Sequence, residues 1–359
     1  MHVPFCKQRC AYCDFATQAV QRDDARLDEY VDTMTRTIRR LSRQDVLGDI
    51  QTVYFGGGTP SYLGNKRLAS LLYTLSLSMH LLPETECTLE ANPESLTLSM
   101  VKDLFALGVT RLSLGIQSFD DEVLRILGRV HSAHDAFRAI DIAQTRFDNV
   151  SIDLMCGLPG QSRESFVHDL MHALSLGVQH ISIYPLTIED NTPFAARLAA
   201  GTLHYDEDAG ADLMEEASEL LEAAGMYRYE VASYAYPGYE SRHNTAYWTG
   251  VPYLGLGPGA VSMRQDDFTR ERLQDTQVID VLDVFQYTAE DLMLGMRMSQ
   301  GVSDEKLEEA CLLLPDARRV FTDLMHEGYV IYDGQRWKPT TKGWLFGNHL
   351  YGALLDLAP

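Results

Sequence analysis

Within "CKQRCAYCDF", residues 6–15, thiols stand at Cys6, Cys10 and Cys13 in a C-x3-C-x2-C spacing. Thiols this close on one loop can ligate metal or take part in disulfide exchange. The remaining cysteines, Cys87, Cys156 and Cys311, are scattered with no framework spacing, so the cluster reads as metal ligands rather than as bridge partners. A structural zinc ion wants four donors, usually from two separated pairs. Neither a second C-x2-C nor a nearby H-x3-H supplies the second pair. A 4Fe–4S cluster normally takes four thiolates. Three leave one iron with an open position, which is how sites that bind a small molecule are built. A cluster that must bind something is the favoured reading, with a zinc or plain redox site as the alternatives.

The elements that must position such a loop are legible as short β-rich runs. They are "TVYF" (52–55), "TLEA" (88–91), "RLSLGI" (111–116), "VSIDLM" (150–155) and "HISIYPL" (180–186), with "HVPF" before Cys6 as the end of one more. Between them lie amphipathic helix candidates such as "DEVLRILGRV" (121–130) and "RESFVHDLMHALSL" (163–176). Polar residues gather where these runs end. "GGGTP" spans Gly56 to Pro60, "EANP" opens with Glu90, Gln117 and Asp153 close two further runs, and Glu189 follows the last. In a doubly wound sheet only the ends around a switch point would meet. Contributions from six units instead predict an α/β fold with a partial (β/α)6 barrel whose strand ends share one mouth.

At 359 residues the chain is longer than one ordinary domain. The barrel is expected over 1–225. Residues 226–275 read as a barrel extension, with a strand at "YEVASYA" (229–235) and a long structured loop at "HNTAYWTGVPYLGLGPGA" (243–260). Residues 276–359 are helical and acidic. They end in a helix, Gly328, two short strands around Asp333-Gly334 and a final helix, a small helical, winged-helix-like module. Such modules often bind DNA, but this one has no basic recognition face. The net charge of −21 also argues against a nucleic-acid or anionic-membrane partner. No run of 18 apolar residues predicts an integral membrane segment, and the opening residues lack a charged-then-apolar leader pattern. A cytoplasmic location is expected.

Taken together, "HVPFCKQRCAYCDF", "YFGGGTPS", "LEANPESL", "RLSLGIQSFDDEVLRILGRVHS", "DLMCGLPGQ" and "YWTGVPYLGLGPGA" resemble the oxygen-independent coproporphyrinogen oxidase family of radical S-adenosylmethionine (SAM) proteins. The resemblance runs from residue 2 to about 350 in consistent order. It implies a 4Fe–4S cluster on Cys6, Cys10 and Cys13, with SAM chelating the fourth iron. It further implies that Gly56, Gly57, Gly58 and Thr59 meet SAM's amino group through backbone, where glycine permits close approach. Glu90 and Asp153 would take polar groups of SAM, Gln117 and Arg129 would touch it, with Arg129 facing its carboxylate, and Tyr12 would pack near the adenine.

Two features favour one branch of that family. Oxidases commonly carry a further cysteine two places after the third, where this chain has Phe15, and "HNTAYW" (243–248) is similar to the HNxxYW signature of the HemW branch, whose members are heme chaperones. That branch implies heme as a ligand, with His243 on the iron, Tyr247 and Trp248 lining an apolar face, and Asn244 orienting the imidazole. His2, His131 and His134 are rival ligands. The implied role is transfer of heme to an acceptor protein, respiratory enzymes among the candidates, with a homodimer left open. The alternatives are oxidative decarboxylation of coproporphyrinogen III through SAM cleavage, and a plain iron–sulfur or zinc protein. The family also carries a tyrosine two residues before the position of His2. The expectation is that a segment bearing it tightens SAM binding.

Overall fold

The computed structural model describes residues 1–359, the side chains at positions 80, 81, 83 and 207 excepted. The chain divides into two compact units, Met1–Met226 with Leu256–Gly259, and Tyr227–Gly255 with Ala260–Pro359. The stretches read from sequence as an extension (226–275) and a C-terminal module (276–359) fall mainly in the second unit.

In the first unit six strands run parallel: β1 (His2–Val3), β2 (Asp49–Gly57), β3 (His80–Ala91), β4 (Arg111–Gln117), β5 (Val150–Cys156) and β6 (His180–Pro185). Each pairs with the next in chain order, without the reversal that would mark a doubly wound sheet. The expected partial (β/α)6 barrel is the observed fold. Helices between strands form where an apolar stripe coincides with end signals. In Ala25–Arg43 the buried Leu27, Tyr30, Val31, Met34 and Ile38 recur at helical spacing behind an Asp24 cap. Asp121–Leu127 starts at the Asp120 cap and stops at Gly128, whose φ of +73° provides the left-handed C-cap.

Alternation along the strands sorts the residues into two faces. Val53, Phe55, Leu89, Leu112, Leu114, Ile152, Leu154, Ile181 and Ile183 are buried under the helices. The other face carries Tyr54, Thr88, Glu90, Arg111, Ser113, Ser151, Asp153, His180 and Ser182. A parallel sheet covered on both faces is ordinarily apolar on both. Here the barrel's inner face is polar along its length.

The second unit departs from the sequence reading in three places. Of "YEVASYA" only Ser233–Ala235 is strand, and it pairs back on Tyr227–Arg228 just before the stretch, because Ala232 N turns to the carboxylate of Glu230 at 3.2 Å. The stretch expected as a loop at 243–260 opens with a helix, Arg242–Trp248, started by Ser241, whose hydroxyl accepts from Asn244 N at 3.2 Å. A three-stranded antiparallel sheet at Val261–Gln265, Thr269–Gln274 and Gln277–Asp283 went unread. Its inward face is held by charge rather than by apolar alternation. Arg270, fully buried, reaches Glu290 at 2.5 Å and Asp291 at 2.6 Å, and Arg272 reaches Asp280 at 2.6 Å. Beyond it, Asp304–Cys311 and Ala317–His326 pack with the strands Val302–Ser303, Val330–Tyr332 and Arg336–Pro339 around Leu292, Phe321, Trp337 and Leu350. That order of helices and small antiparallel sheet is winged-helix-like.

Candidate functional site

The cysteine loop leaves a further short strand, Phe5–Cys6, and is pinned at its middle. Ala11 N donates to Leu127 O at 2.9 Å, Phe194 N donates to Ala11 O at 3.0 Å, and the Gln8 amide reaches Gly128 O at 3.1 Å. Tyr12 packs on the cluster formed by Val123, Leu127, Met155, Leu158 and Phe194. All six cysteines are free thiols, and burial pushes those of Cys6 and Cys13 up. Among the described residues no three His, Cys, Asp or Glu side chains converge on a point as one metal ion requires. A four-iron cluster puts each thiolate on a different iron, so its donors stand wider apart. A loop of three free thiols, pinned at Gln8 and Ala11 between them, fits that requirement.

Gly58 explains why the "GGGTP" turn must be glycine beside this loop. A Cβ there would lie 2.7 Å from Phe5 O and 3.0 Å from Cys6 Sγ. At Gly57, where φ is +109°, it would lie 2.2 Å from Cδ2 of His2. Thr59, buried, directs Oγ1 to Cys6 Sγ at 3.5 Å and accepts from the Asn92 amide at 3.1 Å. Asn92 in turn accepts from Arg129 Nη2 at 2.9 Å, and Arg129 Nη1 lies 3.5 Å from Cys10 Sγ. Arg129 Nη2 also donates to Gly115 O at 2.5 Å, while its Nε is buried with no partner. One polar chain thus links the first cysteine, the glycine turn, the end of β3 and the second cysteine. Asn92 was not singled out in the sequence, although it stands inside "LEANPESL".

Glu90 sits below the turn. It accepts from Tyr54 OH at 2.6 Å and from Gly57 N at 3.2 Å, and burial lifts its carboxyl to about 7 despite those donors. Asp153 accepts from Ser113 Oγ at 3.4 Å and burial lifts it to about 6, against the pull of Arg111. Gln117 ends β4 after a register shift between Gly115 and Gln117, with a φ of +69° that side chains seldom adopt. The bulge turns its backbone out of the strand's alternation. Tyr12, Gly56, Gly57, Gly58, Thr59, Glu90, Gln117, Arg129 and Asp153 therefore all belong to the cysteine-loop end of the barrel. A cluster with an amino-acid-bearing nucleoside fits such a lining, which offers backbone N–H groups, two protonatable carboxyls and one guanidinium.

The histidines separate into different environments. His2 accepts from Gly259 N at 2.9 Å through Nδ1 and is held low in pKa by burial. His131 is a core residue whose Nε2 lies 3.1 Å from Ile116 O. His134 is exposed on the helix Ala133–Gln144. His243 lies in the second unit, and its ring stands edge-on to Tyr247 at 5.0 Å, four residues on and so on the same helix face. Tyr247 stacks on Tyr253 at 4.4 Å, and Tyr253 pairs with Met263 in the three-stranded sheet. Around them Tyr247, Val251 and Leu254 are 39%, 46% and 41% exposed, an apolar margin open to solvent. Trp248 turns elsewhere, its indole N–H donating to Glu230 at 3.1 Å.

A family description of the Radical SAM superfamily matches residues 1–173, and one of the HemN C-terminal domain matches residues 286–346. Over 373 residues the chain is 32% identical to the heme chaperone HemW of Bacillus subtilis (strain 168), covering 99% of this chain and 98% of that one. It is 38% identical to the heme chaperone HemW of Escherichia coli (strain K12) over 261 residues, 72% of this chain and 68% of the other. Its fold matches the solved coproporphyrinogen III oxidase HemN of Escherichia coli, a radical SAM enzyme, with a TM-score of 0.79 at 22% identity over 99% and 88% of the two chains.

Proposed function

The chain belongs to the HemW family of radical SAM proteins, and from that premise we propose that it binds heme and hands it to an acceptor protein. The observation that carries the reading is the face of the helix Arg242–Trp248. A histidine there stands beside two packed tyrosines, Tyr247 and Tyr253, with exposed apolar residues following in the chain. Neutral imidazole is an iron ligand, and apolar side chains beside it suit a porphyrin face.

In the first unit Cys6, Cys10 and Cys13 would hold the 4Fe–4S cluster, and Gly56 to Thr59, Glu90, Gln117, Arg129 and Asp153 would hold SAM, with Tyr12 beside the adenine. When bound, the pair supplies a one-electron centre with an iron that a small molecule can chelate. The chain's own residues orient and exclude. Arg129 offers a charge to a carboxylate, the glycine turn offers N–H groups, and the apolar cluster behind Tyr12 keeps water from one side. No helix among the described residues is long and apolar enough to cross a membrane.

The test is a hemin titration read by absorption, comparing the protein with His243→Ala. Saturable, near-stoichiometric binding with a Soret shift that the substitution abolishes supports the chaperone and the ligand. Binding that survives moves the ligand to another residue. Absence of binding removes the chaperone reading, and anaerobic release of CO2 from coproporphyrinogen III would put the oxidase in its place.

A further inference from the structure

In the second unit two guanidiniums, those of Arg297 and Arg228, stand among aromatic rings rather than on a carboxylate. In the same unit Arg270, Arg272 and Arg318 each hold an acid. Arg297 does not. Its guanidinium lies between two rings, 5.0 Å from the centroid of Trp248 and 4.5 Å from that of Tyr351, and its Nε is buried without a hydrogen-bond partner. The hydroxyl of Tyr351 is likewise buried and unpartnered. Arg228 is the second cation. It donates from Nε, at 2.8 Å, and from Nη2 to Tyr234 OH and stands 5.2 Å over the ring of Trp344, and the phenol of Tyr351 feels the charge of both arginines. The acid reaching this cluster is Glu230, which already accepts from Ala232 N at 3.2 Å and Trp248 Nε1 at 3.1 Å. It makes no ion pair with either arginine.

A half-buried guanidinium without an acceptor is costly in a folded chain. Stacking on an aromatic ring engages the face of the guanidinium and leaves its in-plane N–H donors unfilled. The open fork of Arg297, with the charge of Arg228 acting on the same phenol and with Trp248, Trp344 and Tyr351 at its border, suits a flat ligand whose edge carries carboxylates.

We propose that Arg297, Tyr351 and Arg228 form a carboxylate-binding site that takes the propionate edge of a porphyrin. The inference rests on the heme reading, since Trp248, one wall of the site, closes the helix that carries His243. The porphyrin's anionic edge would be read here, apart from its iron.

The experiment titrates the full chain with hemin and with hemin dimethyl ester, whose propionates are blocked, and repeats both with Arg297→Leu, Arg297→Lys and Arg228→Leu. Wild type should bind hemin at least about tenfold more tightly than the ester, as loss of a charge-assisted hydrogen bond predicts. The leucine variants should lose that margin for hemin and keep the ester's affinity, with Arg297→Lys in between. Equal wild-type affinity for the two ligands overturns the site and leaves heme binding standing. Variants that weaken both ligands alike overturn it as well. If neither ligand binds saturably, the heme reading falls and the site with it. If a leucine variant does not fold, the wild-type comparison of hemin with ester decides alone.

Discussion

Arg129 and Cys10 are 119 residues apart in sequence, yet Nη1 of the arginine lies 3.5 Å from the thiol sulfur. The same guanidinium binds Asn92 and Gly115 O, so a single side chain ties the cysteine loop to the ends of two strands. Replacing it with methionine keeps the length and removes every donor. Arg129→Met should weaken SAM binding by about tenfold to a hundredfold, the range of one to two charged hydrogen bonds. Calorimetry on anaerobically reconstituted protein checks this. An unchanged affinity would assign Arg129 to loop packing alone.

Glu90 gives a prediction with a definite sign. Burial holds its carboxyl at about 7, so between the ordinary carboxylate range and about pH 7 the folded chain keeps a proton that the unfolded chain has lost. Its contribution therefore turns against folding as pH rises through that window. In Glu90→Gln the amide carbonyl can accept from Gly57 N while its NH2 donates to Tyr54 OH. The variant should be more stable than the parent by about 1–3 kcal/mol at pH 8 and by little at pH 4. Urea unfolding at both pH values reads this, and SAM affinity should fall in the same protein.

Two glycines with similar backbone and different surroundings separate strain from collision. Gly64 has a φ of +83° with nothing within 4 Å of an added Cβ, whereas at Gly57 that atom would meet His2 at 2.2 Å. Gly64→Ala should cost about 1–3 kcal/mol from the positive-φ backbone alone. Gly57→Ala should cost more than about 3 kcal/mol or displace β1. Equal losses on denaturant unfolding would refute the wedge.

Serine at Cys6, Cys10 or Cys13 should bring iron and sulfide to background after anaerobic reconstitution. Serine at Cys311 should leave both unchanged, being outside the loop. Hemin titration of the loop variants should still show the Soret shift, because the proposed heme face lies in the other unit.

The first unit was readable because its signals are local. Apolar alternation located the parallel strands to within a few residues at most ends, and the polar strand ends gave away the mouth. The sheet at 261–283 was hidden for a physical reason. Arg270 and Arg272 fill the inward positions that apolar residues usually take, and their acids Glu290 and Asp291 lie on a later helix. Arg297 was hidden more deeply, since a missing partner is a property of the folded chain. The helix Arg242–Trp248 could have been suspected from Ser241, but seven residues are too few for an apolar stripe to declare itself.

The segment Leu256–Gly259 returns to the first unit, where Leu256 O accepts from His2 N at 2.7 Å and Gly259 N binds a histidine 257 positions earlier. On the ribosome this sets an order of events. The cysteine loop emerges long before the residues that lock the strand leading into it, and domains generally fold as they are made. Between those moments β1 can pair with Gly56 and Gly57 while its other flank stays open. Closing so long a loop is slow. Synthesis itself therefore orders the assembly, and the strand that leads into the cysteine loop gains its second flank only after Gly259 has emerged.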